Sequence, residues 1–154
     1  MPSVITKSAG VEILASPATV RAVFLDFARY QQWHPGWNLG PVDSATKPVD
    51  LKAGDKMRVS LHGMTFHPVV IENTPKCFTW EGSVPLIASG KHFFRFTPST
   101  ENPGATSFVQ GEDYSGPLIT MFGSWIKTDE PNQNFDMFNA ALKKEAERIT
   151  HGGQ

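Results

Sequence analysis

From residue 131 to 149 the chain repeats on a helical period. Phe135, Phe138, Ala141, Leu142, Ala146 and Ile149 recur three and four apart and form one apolar stripe, with Lys143, Lys144, Glu147 and Arg148 on the other side. Pro131, behind Asp129 and Glu130, suits a first turn whose free N–H groups attract anions, and Gly152 and Gly153 supply a stop. A long terminal helix with Phe and Met on its inner side needs a large apolar surface to lie against. The upstream pattern predicts one. Residues 11–15 read as a short strand, and Ser16-Pro17 ends it and opens a helix: Ser16 is a cap, Pro17 fits the first helical position, and Val20, Val23, Phe24 and Phe27 follow at helical spacing. Tyr30 and Trp33 extend that face to a stop at His34-Pro35-Gly36. Residues 37–52, with Gly40, Pro41 and Pro48 in quick succession, read as loop.

After Gly54-Asp55 the period changes from helical to alternating. Met57, Val59 and Leu61 share one side of a strand, and Gly63 is the turn into a second strand over 65–72, where Pro68 argues for an edge position or a bulge. A third strand runs over 77–81 with Phe78 and Trp80 on one face. A fourth covers 91–96 with His92, Phe94 and Phe96 together, and a fifth covers 106–114. The segment 118–126 is apolar and reads either as a separate helix or as the start of the long one. The order is strand, helix, five strands, helix, without repeat or linker. Hairpin-length connections make the five strands antiparallel, so the chain reads as one α+β domain over 1–154: a curved antiparallel sheet wrapped around a long C-terminal helix, with an internal cavity between them.

Composition narrows the partners. With 154 residues and a formal charge of −1, the chain has no clustered positive face for nucleic acid. Neither a signal-peptide core nor a window of membrane-span length is visible, and the single cysteine, Cys77, rules out an internal disulfide framework; the reading is cytoplasmic, without a membrane span. A homodimer is left open. Eleven Phe and four Trp, spread through most predicted elements, imply either a packed aromatic core or an aromatic-lined cavity.

Strand parity places the candidate chemistry. Centring the last hairpin on 98–104 sets Phe94 near Phe108 and His92 near Gln110, and centring the one before it on 83–90 sets Trp80 near His92, with an uncertainty of about one residue pair. Trp80, His92 and Gln110 then form a row on the concave face, and Glu112 and Tyr114 share Gln110's parity. A carboxyl in apolar surroundings has its pKa raised and a buried imidazole is tuned toward neutrality, which are conditions for proton transfer near pH 7. His92, Glu112 and Tyr114 are the candidate catalytic groups. Trp33, His34, Trp37, Leu61, Trp80, Phe94, Gln110, Phe122, Trp125, Phe135 and Phe138 are the candidate substrate contacts. The competing reading of the polar set is a satisfied network that fixes strand register. His34 is also explained as part of a helix stop, and the 121–125 stretch as ordinary helix–sheet packing. His62 and His67 lack a third ligand at a recognisable spacing, so no metal is assigned, and no cofactor.

Read together, several fragments resemble the START-like, SRPBCC superfamily, the helix-grip fold shared by birch-pollen-allergen-like proteins and the polyketide cyclase/dehydrase group. They are Ile13-Leu14-Ala15-Ser16-Pro17-Ala18-Thr19-Val20, Tyr30-Gln31-Gln32-Trp33-His34-Pro35, Thr79-Trp80-Glu81-Gly82, Gly90-Lys91-His92-Phe93-Phe94-Arg95-Phe96, the run from Thr106 to Gly116, and Asn139-Ala140-Ala141-Leu142-Lys143. The cyclase-type members are more similar than the plant allergens, whose glycine-rich loop between the second and third strands is missing here. The resemblance implies an elongated cavity for lipids, sterols, polyketides or plant metabolites. The inward arginine that bacterial aromatase/cyclases often use has no counterpart, because Arg58 and Arg95 have outward parity. Three functions follow: a cofactor-independent enzyme that cyclises, lactonises or dehydrates a polyketide-like molecule, a carrier of a lipid or other hydrophobic metabolite, or a stress- or chaperone-linked interaction module.

Overall fold

The computed structural model describes residues 4–84, 88–125 and 132–152. Strand β1 (Ile5–Ile13) runs into helix α1 (Pro17–Leu25), whose first turn is capped by the Ser16 hydroxyl accepting from the Thr19 N–H at 3.1 Å. The predicted helical face continues, but not as one helix. The chain bends at Asp26, makes a tight 3₁₀ turn at Phe27–Arg29, and resumes as the short α2 (Tyr30–Trp33). Tyr30 ties the bend: its buried phenol donates to the Phe24 carbonyl at 2.5 Å.

The region read as loop contains a strand. β2 (Trp37–Pro41) buries Trp37 and Leu39 and exposes Asn38, so it alternates as a strand should, although Gly40 and Pro41 mask the pattern. It pairs with β3 (Met57–Leu61), which pairs in turn with β4 (Met64–Phe66). The expected single strand over 65–72 is broken at His67-Pro68, because Pro68 has no N–H to give a ladder. β5 (Val69–Asn73) starts afresh, with a bulge between Val70 and Glu72. The remaining strands are β6 (Cys77–Val84), β7 (Ala88–Pro98) and β8 (Thr106–Ser115). The described residues thus hold eight strands in two antiparallel sheets rather than six in one. The larger is ordered β1-β8-β7-β6-β5 and the smaller β2-β3-β4, and the pairing of Lys56 with Val69 bridges them.

The apolar 118–126 segment resolves into a separate helix, α3 (Pro117–Phe122), and a tight turn at Gly123–Trp125. The long helix is α4 (Gln133–Thr150), capped by Asn132, whose side chain accepts from the Phe135 N–H at 3.1 Å. The start proposed at Pro131 lies outside the described residues. Phe135, Phe138, Leu142 and Ala146 face inward as the period requires, joined by Asn139 and Glu145. Two residues depart from the expected inner face: Ile149, at the C-terminal end of the predicted stripe, is exposed, and Met137 sits on the outer face. The large sheet curls round α4 in a helix-grip fold, and rings from both sheets and the first helices fill the middle. Phe24 packs against Phe78, Phe94 and Phe96, while Trp37 stacks on Phe138 with centroids 4.1 Å apart and planes 14° apart.

Candidate functional site

The site is built where β6, β7 and β8 run side by side on the concave face. Trp80 pairs with His92 as expected, but His92 pairs with Glu112, and Phe94 with Gln110. The last hairpin is displaced by one pair because Pro98 still pairs with Thr106, so the loop is 99–105 rather than 98–104; it is closed by the Ser99 N–H on the Ala105 carbonyl at 3.0 Å. The row is therefore Trp80, His92 and Glu112. Gln110 remains within reach diagonally, with 2.9 Å between its Oε1 and His92 Nε2.

Behind that bond lies a buried chain of amides. Gln110 Nε2 donates to Asn139 Oδ1 at 2.7 Å and to the Phe135 carbonyl at 3.3 Å, and Asn139 Nδ2 donates to the Ala9 carbonyl at 3.1 Å. The other ring nitrogen of His92, Nδ1, lies 3.9 Å from Glu112 Oε2. Burial pushes the His92 pKa down to about 4, against the hydrogen bond to Gln110, which favours the charged form. At neutral pH the imidazole is therefore uncharged and its approach to Glu112 is not an ion pair. Burial raises the Glu112 pKa; the Tyr114 hydroxyl, donating to Oε2 at 3.1 Å, works against the rise and the neighbouring charge of Asp113 adds to it. Burial and the Glu112 charge raise the Tyr114 pKa in turn, so the phenol keeps its proton and remains a donor.

The next inward row is Gly82, Gly90 and Tyr114. Two paired positions without side chains leave a space, and a Cβ on Gly90 would stand 2.5 Å from Glu112 Oε1. Among the described residues, a pocket of about 360 Å³ opens there, lined by Phe66, His67, Gly82, Ser83, Ala88, Ser89, Gly90, Glu112 and Tyr114. Glu112 and Tyr114 thus face the pocket, while His92, only 3 % exposed, is not part of its wall and stands behind Glu112. Phe66, His67 and the two glycines were missed as site residues. The glycines had a readable signal in their shared parity with Trp80 and His92; Phe66 ends β4 of the smaller sheet and His67 follows it in the link to β5, a placement no local pattern gives.

The other predicted contacts divide by depth. Phe94, Gln110, Phe135 and Phe138 are buried in the packed centre, and Leu61 is partly buried against it. Trp33 packs on Tyr30 and Phe138 and lines an outer groove between α1 and α4. Phe122 is 40 % exposed on α3, and the Trp125 side chain lies outside the described residues. His34 and Trp37 are buried with their Nε2 and Nε1 atoms unpartnered, in rings 5.7 Å apart. The two outward arginines are exposed as expected, Arg95 lying over the Phe93 ring.

A family model described as "Polyketide cyclase / dehydrase and lipid transport" matches residues 4–147. No curated protein matches the chain in sequence. Among solved structures, a norcoclaurine synthase point mutant from Thalictrum flavum, in complex with a transition-state analogue, is similar with a TM-score of 0.67 at 11% identity, covering 97% of this chain and 98% of that one. The Zhui aromatase/cyclase from Streptomyces sp. R1128 is similar with a TM-score of 0.65 at 13% identity, covering 98% of each chain. A START superfamily protein from Mycobacterium smegmatis gives 0.59 at 17% identity, over 94% of this chain and 98% of that one. At these identities the likeness shows the fold. Family and fold together support binding of a hydrophobic ligand.

Proposed function

Because the chain belongs to the polyketide cyclase/dehydrase and lipid transport family, we propose that it closes a ring in a polyketide-like substrate, by cyclisation, lactonisation or dehydration, through acid/base chemistry at Glu112. The observation that carries this reading is the placement of Glu112 in the pocket wall, between a phenol that holds its anion and a neutral imidazole behind it. Burial raises the Glu112 pKa, which strengthens the carboxylate as a base and makes its acid form easier to reach, the direction required of a group that must take and return the same proton.

The steps balance without a cofactor. Ionised Glu112 takes a proton from the carbon between two substrate carbonyls, leaving an enolate. The enolate carbon or oxygen attacks a more distant carbonyl of the same molecule, one new bond forms as the carbonyl π bond opens, and the resulting alkoxide takes the proton back from Glu112. In lactonisation the attacked carbonyl is that of an ester or thioester, and the alkoxide instead collapses and expels the alcohol or thiol, which takes that proton. A second deprotonation at carbon followed by loss of the hydroxyl, protonated by the same carboxyl, releases water. Phe66 and the neighbouring backbone hold the apolar chain folded, and holding the reacting atoms close contributes as much as the proton transfer.

The test uses a linear 1,3,5-trione, whose ring closure to a pyrone is followed in the near ultraviolet. Glu112→Gln is expected to lower the catalysed rate by roughly 10²–10⁴-fold while the trione still raises the melting temperature. A folded Glu112→Gln protein that closes the ring at the wild-type rate would defeat the proposal. Stabilisation of the wild type by the trione and by fatty acids without any turnover would favour the carrier, the other activity in the family's description.

A further inference from the structure

A main-chain carbonyl accepts hydrogen bonds and cannot donate one, so the buried amide chain has a direction that two such oxygens dictate. The Asn139 amide atom 3.1 Å from the Ala9 carbonyl has to be Nδ2, which leaves Oδ1 for Gln110. Gln110 meets that Oδ1 and the Phe135 carbonyl with one end of its amide, which has to be Nε2. Its Oε1 is then the atom 2.9 Å from His92, and an oxygen whose amide partner already spends both protons has only lone pairs to offer. Turning Gln110 over would set its oxygen 3.3 Å from the Phe135 carbonyl and force Asn139 to turn its own oxygen on Ala9. Both contacts would be repulsive, the first buried and the second part-buried, where leaving a polar atom unpaired is already costly.

We infer that Asn139 is a positioning residue: acting through Gln110, it fixes the proton of His92 on Nε2 and leaves a bare Nδ1 aimed at Glu112. The tautomer stands on this geometry alone, while its use in catalysis rests on the acid/base role proposed for Glu112. The bare nitrogen lies 3.9 Å from Glu112 Oε2. It repels the carboxylate and accepts from the carboxylic acid after a small rotation, so it favours the form in which Glu112 has just taken a proton from the substrate. Among the described residues Glu112 is the titratable group facing the imidazole; the other groups packed on it are the rings of Trp37, Trp80, Phe94 and Phe135.

Histidine-selective ¹⁵N labelling of the full chain and long-range ¹H–¹⁵N spectra at neutral pH read the tautomer directly. The wild type is expected to show His92 as a single neutral species with a protonated Nε2 and a bare Nδ1. Asn139→Leu, which keeps the branched side-chain shape and removes the hydrogen bonds to Gln110 and Ala9, is expected to show a mixture of the two tautomers. Its kcat for the trione should fall about tenfold with KM within about twofold of wild type, the split expected when a reacting group is misdirected while substrate binding is left intact. A wild-type spectrum with the proton on Nδ1 overturns the inference, and so does an Asn139→Leu spectrum identical to wild type. If Asn139→Leu does not fold, Gln110→Met serves instead, since it removes the acceptor beside Nε2, and an unchanged spectrum there is equally fatal. The expected tautomer in a wild type that never turns over the trione would support the amide chain and overturn the proposed reaction.

Discussion

Among the titratable groups of the site, His92 shows its cost in stability most directly. It is held neutral in the fold with a pKa near 4, whereas in the unfolded chain it titrates near its ordinary value of 6.5. Between those values the unfolded state binds the extra proton, so the protein loses stability as pH falls through that window and regains it as pH rises. Glu112 acts in the opposite sense: its raised pKa lets the folded state keep a proton that the unfolded state has released, so its contribution declines as pH rises above 4.5. Comparing wild type with His92→Gln isolates the histidine, because the carboxyl is present in both. From pH 7 to pH 4.5 the wild type should lose about 2 kcal/mol more than the variant, read as a larger fall in the urea midpoint at constant slope. Equal losses would mean that the imidazole is not desolvated as the fold places it. The same residue explains why the site has two layers: an imidazole this deep holds a tautomer well and is poorly placed to meet a substrate, while Glu112, beside the two glycines, is well placed to.

Elements are joined by single side chains where the sequence gives no periodic clue. Asn73, at the end of β5, donates to the carbonyls of Leu51 at 2.9 Å and Val49 at 3.3 Å, and its oxygen accepts from Arg21 Nη2 on α1 at 2.8 Å. One amide thus fastens the loop after β2 to the large sheet and to the first helix. Asn73→Ala should cost about 1–3 kcal/mol, since it strands the loop carbonyls together with an arginine whose buried Nε already lacks a partner. Asn73→Asp should release the loop carbonyls but keep Arg21, which separates the two halves of the effect in denaturant midpoints. An alanine variant as stable as wild type would show the loop to be held by packing instead. Such joints mark where reading from sequence stops. Helix α4 and strands β6 to β8 were legible because their apolar periods run long, and with them the inward parity of His92, Glu112 and Tyr114. Strand β2 was not, because Gly40 and Pro41 punctuate an otherwise alternating run, and a five-residue strand leaves little pattern to outweigh them. The hairpin register slipped by one pair because loop residues, not strand residues, set where Pro98 stops pairing. That slip exchanged Gln110 for Glu112 beside His92, so the groups of the site were legible while their order was not. Depth was the least legible property: whether a side chain lines the pocket or lies behind it depends on Phe66, at the end of β4 in the second sheet, and on His67 in the link after it.

Across the whole molecule, the packed aromatic centre and the pocket proposed for chemistry draw on different side chains. Phe138, fully buried on α4, contacts rings from α1, α2, β2 and β7 and the imidazole of His34: Phe24, Tyr30, Trp33, Trp37 and Phe94 all lie within 6.5 Å centroid to centroid. It meets both sheets at once, so little can close in if the ring is removed. Phe138→Ala should therefore fall in the range of about 3–5 kcal/mol for large-to-small changes in packed cores, and a small apolar guest such as benzene should recover part of the loss by filling the void. The site should respond in the reverse manner. The Glu112 carboxyl is half-buried, and burial disfavours its charged form. Glu112→Gln removes that charge and keeps an acceptor for the Tyr114 hydroxyl, so the variant should be as stable as wild type or slightly more so, as expected where a functional group is held against its solvation preference. Urea midpoints for the two variants, measured beside trione turnover, decide the matter. Phe138→Ala is expected to weaken folding while retaining turnover under conditions where it stays folded, and Glu112→Gln to keep folding and lose turnover. Loss of turnover in a folded, benzene-filled Phe138→Ala protein would mean that the packed centre is part of the substrate's binding space, and the separation of centre and pocket would have to be given up.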